Sequence, residues 1–108
     1  MLTMRVYQRA DGSSPFRGWF DDLDDTAHAR VTRFLTRLEQ GNTSNVKPVG
    51  EGVSELKIDF GPGYRVYFGM DGRTLVILLG GGTKKRQNND IAAAKDAWAD
   101  YKQRKKED

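Results

Sequence analysis

The residues best suited to chemistry in this chain lie between Lys57 and Gln87. Lys57, Asp59, Arg65 and Tyr67 stand close together, and Lys84, Lys85, Arg86 and Gln87 follow an apolar run. Ionisable and phenolic groups of these kinds suit chemistry on a phosphodiester. An arginine's planar fork of donors matches two phosphate oxygens at once, so Arg65 reads as an anion contact. Its other reading is a surface ion pair with Asp59. Lys84 to Arg86 reads either as an anion-binding segment or as a solvated basic loop. Gly80-Gly81-Gly82-Thr83-Lys84 lacks the spacing of a Walker phosphate loop. No spacing of Asp, Glu and His suggests a metal site, and His28, the one histidine, sits among charged neighbours and reads as surface.

These groups need strands to hold them. From Glu55 to Phe60 apolar and polar residues alternate with period two, placing Leu56, Ile58 and Phe60 on one face and Glu55, Lys57 and Asp59 on the other. The alternation resumes after Gly61-Pro62-Gly63, with Tyr64, Val66 and Phe68 opposed to Arg65 and Tyr67. If those three residues form the hairpin loop, Phe60 pairs with Tyr64, Asp59 with Arg65 and Lys57 with Tyr67. Asp71-Gly72 predicts a two-residue hairpin that sets Phe68 against Leu75 and Val66 against Ile77. The strand after it, Leu75 to Leu79, is apolar throughout, so it belongs in the middle of a sheet with both faces covered.

Upstream, Met4 to Gln8 predicts a short strand. Ser14-Pro15 predicts the start of a short helix through Phe16, Trp19, Phe20 and Leu23. A second helix from Asp24 or Asp25 to about Gln40 carries the stripe Ala27, Val31, Phe34, Leu35 and Leu38, with Arg30, Arg33 and Arg37 opposite. Gly41-Asn42 stops it. Residues 43–52 read as a polar loop. Asn88, Asn89 or Asp90 caps a last helix with Ile91, Ala94, Trp98 and Tyr101 at helical spacing; Trp19, Phe34 and Trp98 read as core. The charged tail from Lys102 to Asp108 is expected to fray. The order is an N-terminal strand, two helices, an antiparallel three-stranded meander and a C-terminal helix. That is an α+β arrangement with helices on one sheet face, the other face being left for a site.

A chain of 108 residues is read as one domain, residues 1–108. It has no cysteine, which excludes disulfides and thiolate metal sites and fits a reducing cytoplasm. No run is apolar enough to span a bilayer, so no membrane association is expected. The net charge is +3. Its distribution is uneven: acids crowd at Asp21, Asp22, Asp24 and Asp25, bases at Lys84 to Arg86 and after Lys102. That separation is compatible with a polyanionic partner, and equally with solvated loops.

Several segments, taken together, carry a resemblance. They are F-R-G-W-F-D-D-L-D-D, R-L-E-Q-G-N, V-G-E-G-V-S-E-L-K-I, G-P-G-Y-R-V-Y-F and L-L-G-G-G-T-K-K-R-Q-N-N-D-I-A-A-A-K. The chain resembles the RelE/ParE superfamily of toxins from type II toxin–antitoxin modules, closest to the HigB-like addiction module killer proteins and phage Gp49-like proteins. The resemblance implies a RelE-like fold and an endoribonuclease, an mRNA interferase that cuts ribosome-bound mRNA without metal or cofactor. In such cleavage the RNA's 2′-hydroxyl attacks the adjacent phosphate, and the enzyme assists the proton transfers and the developing charge. A cognate antitoxin, of helix-turn-helix type, is the implied partner, with mRNA and ribosomal RNA as targets.

Role by role, the resemblance matches Arg65 to the superfamily's phosphate arginine and Lys57 to a lysine on the preceding strand. Lys57 then either stabilises the transition state or acts as base. Asp59 stands where RelE proteins carry a second lysine, and so serves either as base or as a partner of Arg65. Lys84 matches a basic position after the last strand, with Lys85, Arg86 and Gln87 beside it as substrate contacts. The tyrosine that RelE proteins carry near the start of the C-terminal segment is missing at Ile91 and its neighbours. Tyr67 or Gln87 compensates, Tyr67 by stacking on a base or giving a proton, unless it is a packed sheet residue. The alternatives are a ParE-like, non-enzymatic inhibitor of DNA gyrase and an inactive antitoxin-binding module.

Overall fold

A computed structural model describes residues 1–107. The chain runs β1 (Thr3–Val6), α1 (Pro15–Asp21), α2 (Asp25–Glu39), β2 (Val46–Gly50), β3 (Val53–Ile58), β4 (Tyr64–Asp71), β5 (Leu75–Thr83), a 3₁₀ turn (Lys84–Arg86) and α3 (Gln87–Glu107). The strands form one sheet in the order β1-β5-β4-β3-β2. The α+β class holds, but the sheet is mixed and five-stranded: β1 joins β5 in parallel, and the other pairs are antiparallel. β5 is flanked by β1 and β4, as its unbroken apolar run requires.

The first two helices begin where side chains cap them. Ser14 accepts from the Arg17 amide and Asp24 from the Ala27 amide, each satisfying a donor that the first turn leaves open. Both helices pack on one face of the sheet, where Phe16, Phe20, Val31 and Leu38 meet Leu56, Ile58, Val66, Phe68, Val76 and Leu78.

The opposite face is not open. Val53, Tyr67, Ile77 and Leu79 form a second core there with Tyr7, Ala94, Ala97 and Trp98, so α3 lies across it. The aliphatic side chains of Val53, Ile77 and Leu79 would otherwise stand in water, and burying each stabilises the fold by about 1.5–3 kcal/mol. Two glycines give α3 room. A Cβ on Gly69 would lie 2.6 Å from the Trp98 ring, and one on Gly52 2.7 Å from it.

Both hairpins differ from their sequence reading. In the first, Ile58 pairs with Tyr64, Lys57 with Arg65 and Glu55 with Tyr67. Residues 59–63 form the connection, with Gly61 and Gly63 at positive φ and the Gly63 amide donating to the Phe60 carbonyl. Phe60 leaves the strand to pack beside Tyr64 and beneath the Arg30 guanidinium. The slip is by two residues, so each side chain keeps its face. In the second hairpin Asp71 pairs with Leu75, and a bulge lets Phe68 meet Leu78 while Tyr67 meets Gly80. Asp71 stays in the strand because the Tyr101 hydroxyl and Lys105 on α3 hold its carboxylate. This slip is odd in number, so Ile77 moves to the α3 face. The bulge then sets Gly80 on the same face as Leu79.

Three more expectations change. The loop at 43–52 contains β2, an edge strand blunted by Pro48 and a register irregularity, which discourages further strand addition. The last helix starts at Gln87, so Asn88, Asn89 and Asp90 lie inside it rather than capping it. Residues 102–107 are helical, not frayed: Arg104 bridges Asp100 and the Gln8 carbonyl, and Lys105 pairs with Asp71. Asp108 lies outside the described residues.

Candidate functional site

Across β3, β4 and β5 the register sets Lys57 beside Arg65 and Arg65 beside Gly82. This row lies on the α3 face, near the first turn of that helix, where Lys57 remains half exposed. The 3₁₀ turn brings Lys84 to the same end: its amide donates to the Gly63 carbonyl at 2.8 Å. A Cβ on Gly63 would sit 3.6 Å from Lys84 Cβ and 3.2 Å from Arg65 Nη1. Thus strand register and the Lys84–Gly63 hydrogen bond place Lys57, Arg65 and Lys84 at one end of the sheet around the 59–63 loop. Asp59 is exposed at the start of that loop, its Oδ1 3.7 Å from Lys57 Nζ, and is not paired with Arg65. Lys85 and Arg86 are exposed on the 3₁₀ turn.

Arg65 is not a surface residue. Its side chain is 6% exposed and Nε lies 2.9 Å from Oε1 of Glu55, which is fully buried. The contact is an ion pair rather than an aligned hydrogen bond, since Nε has no partner meeting hydrogen-bond geometry. Gln87 Nε2 donates to the same Oε1 at 2.7 Å, and Lys47 Nζ approaches Oε2 at 3.6 Å. Gln87 is therefore engaged with Glu55 from the first turn of α3.

Tyr67 is fully buried and its hydroxyl has no partner. Desolvation foremost, then the Glu55 and Asp90 charges, pushes its pKa up. Stacking on a base is closed to it, because α3 covers the ring; it is a packed sheet tyrosine. Asp90 points its carboxylate at Gly82, where a Cβ would be 1.9 Å from Oδ2. Burial raises the Asp90 pKa, against a smaller opposing effect from Arg86. Among the described residues, the buried side-chain polar atoms without a hydrogen bond are Glu55 Oε2, Arg65 Nε and Nη1, Tyr67 Oη and Asp90 Oδ2. They belong to one neighbourhood, since Glu55, Asp90 and Arg65 all act on Tyr67. Buried polar groups normally find partners, so such a concentration marks a place where the fold leaves donors and acceptors free.

Glu55 and Asp90 are the participants that sequence reasoning missed. The available signal was Val53: an apolar residue in the same outward row as Glu55 and Lys57 implies cover over that face.

A groove of about 450 Å³ lies elsewhere, between the glycines of β5 and α3. Its lining carries Asp90, Asp96 and Asp100 against one base, Arg9, so it is more acidic than basic. The end bearing Lys57 and Lys84 is the better phosphate surface. Among the described residues no group of His, Cys, Asp and Glu could hold a metal ion, and no helix is long and apolar enough to cross a membrane.

Residues 18–102 match the family model described as Phage derived protein Gp49-like (DUF891). The chain belongs to the Gp49-like family. This is a family of addiction-module, RelE-like toxins. An uncharacterized protein of Haemophilus influenzae is 43% identical over 81 residues, covering 74% of this chain and 82% of that protein. The matched span of the Gp49-like family takes in the whole cationic end and the buried cluster beneath it.

Proposed function

We propose that this Gp49-like protein is the toxin of a type II toxin–antitoxin module, of the HigB-like kind, and that it cleaves mRNA on the ribosome. The observation that carries the reading is the placement of Lys57, Arg65 and Lys84 at one end of the sheet by strand register and the Lys84–Gly63 hydrogen bond. Three cations on neighbouring backbone segments suit a phosphate whose negative charge grows during attack. In the reaction the 2′-oxygen bonds to the adjacent phosphorus, the P–O5′ bond breaks, and a 2′,3′-cyclic phosphate remains. Asp59, exposed beside Lys57, takes the 2′-hydroxyl proton. Lys57 and Lys84 balance the charge on the phosphorane oxygens, and water or a protonated lysine returns a proton to the leaving O5′. Arg65 Nη1 lies beneath the 59–63 loop, so its contact with a phosphate requires that loop to lift. The bases Lys85 and Arg86, with Arg30, Arg33 and Arg37 on α2, form the surface for ribosomal RNA. An antitoxin with a helix-turn-helix domain is the partner that restrains the toxin.

The test is mapping of mRNA ends after brief induction, with a parallel assay of gyrase-linked DNA breaks. Codon-linked cuts bearing cyclic phosphate ends are expected, and Lys57→Ala and Arg65→Ala should each lower cleavage by about 100-fold while the proteins still bind antitoxin. Intact mRNA accompanied by gyrase-linked DNA breaks would reject the nuclease.

A further inference from the structure

We propose that Glu55 is a positioning residue that fixes the guanidinium of Arg65 for phosphate contact, an inference that rests on the nuclease reading. Glu55 is wholly buried in the middle of β3, and three side chains converge on it from three elements. Arg65 reaches it from β4, Gln87 from α3 and Lys47 from β2. A carboxylate in such a place is costly to desolvate, and replacing the Glu55–Arg65 pair as a whole by apolar residues of similar volume is often neutral for stability. What the carboxylate adds is direction. A guanidinium has five N–H donors in a rigid plane, so holding its Nε edge beside the carboxylate charge restricts where the other donors lie. With Nε against Glu55, the terminal nitrogens are the donors left for a ligand. Nη1 is one of them; among the described residues it has no hydrogen-bond partner, and it faces Gly63, on the side where Lys84 stands.

The second function of the pair is electrostatic. Unpaired, Arg65 would be a buried cation among Lys57, Lys84 and Lys47, and repulsion would drive it toward solvent. Glu55 offsets that charge and keeps the guanidinium in the sheet. Gln87 donates to the same Oε1, which restrains the carboxylate. A residue acting this way should affect the chemical step more than the capture of RNA, because RNA capture depends on the exposed lysines.

The experiment compares wild type, Glu55→Gln and Glu55→Asp. Steady-state cleavage of an mRNA fragment in a translating extract is measured alongside nitrogen-15 NMR of the Arg65 Nε–H. Glu55→Gln keeps shape and an acceptor but removes the charge. It should lower kcat by about 100-fold with little change in KM, as expected of a small misplacement of a charged group. Its Arg65 Nε–H should exchange faster with solvent, while the melting transition and antitoxin binding persist. Glu55→Asp, which restores a carboxylate at a shorter reach, should recover part of kcat and of the exchange protection. Cleavage by wild type with an equal kcat in Glu55→Gln overturns the positioning role and leaves the nuclease standing. A fall confined to KM, or unchanged Arg65 exchange, also overturns it. RNA left intact by the wild type sinks the nuclease reading itself.

Discussion

Asp90 presses its carboxylate against the α-carbon of Gly82, where any side chain would require that carboxylate to move. Burial there favours the neutral acid and raises the pKa. Between the ordinary carboxylate range and that raised value the native state therefore binds more protons than the unfolded chain. Stability then falls as pH rises through the window. Asp90→Asn removes this dependence. Its melting temperature should exceed that of wild type near pH 7, with the margin shrinking toward pH 4; a margin constant across that range would show that Asp90 ionises as freely as in the unfolded chain. Arg65 poses the opposite case. Its fork of donors suggested an anion contact from residue type alone, but its burial against Glu55 came from a face that sequence placed in solvent.

At the scale of elements, the decisive contact is α3 on the sheet. Trp98 lies over Gly69 of β4 and Gly52 before β3, and the contact positions the helix start that carries Gln87 and Asp90. Gly69→Ala would set a methyl carbon 2.6 Å from Trp98 Cε3. Overpacking of this kind costs about 1–3 kcal/mol. Urea denaturation should show the midpoint lowered accordingly with an unchanged m-value, and Trp98→Phe in the same chain should restore part of it. A neutral Gly69→Ala would mean that α3 can shift off the sheet freely. The hairpins show how far periodicity reaches. Period two survives a slip of two residues, so the faces of Lys57 and Arg65 were legible. It fails on a slip of three, so Ile77 was assigned to the wrong core.

For the molecule as a whole, charge separates by region. Cations gather at the 59–63 loop, the 3₁₀ turn and α2, whereas Asp90, Asp96 and Asp100 line the groove along α3. Binding of single-stranded RNA at the cationic end should therefore weaken steeply with salt. Lys84→Ala should lower the slope of log K against log salt by about 0.7 for one lost phosphate contact. Fluorescence anisotropy at several salt concentrations measures it. An unchanged slope would place the RNA elsewhere on the protein.

The residue types and their alternation determined the existence of the three helices, the faces of β3 and β4 and the family, because period is a local property. They also placed Lys57, Arg65 and Lys84 in the candidate site. Only the tertiary structure decided that both sheet faces are covered, that β1 joins β5 and that Glu55 lies beneath α3. Those facts depend on which distant segment comes to rest on which surface, and cross-strand register and helix docking are settled by packing between residues far apart in the chain.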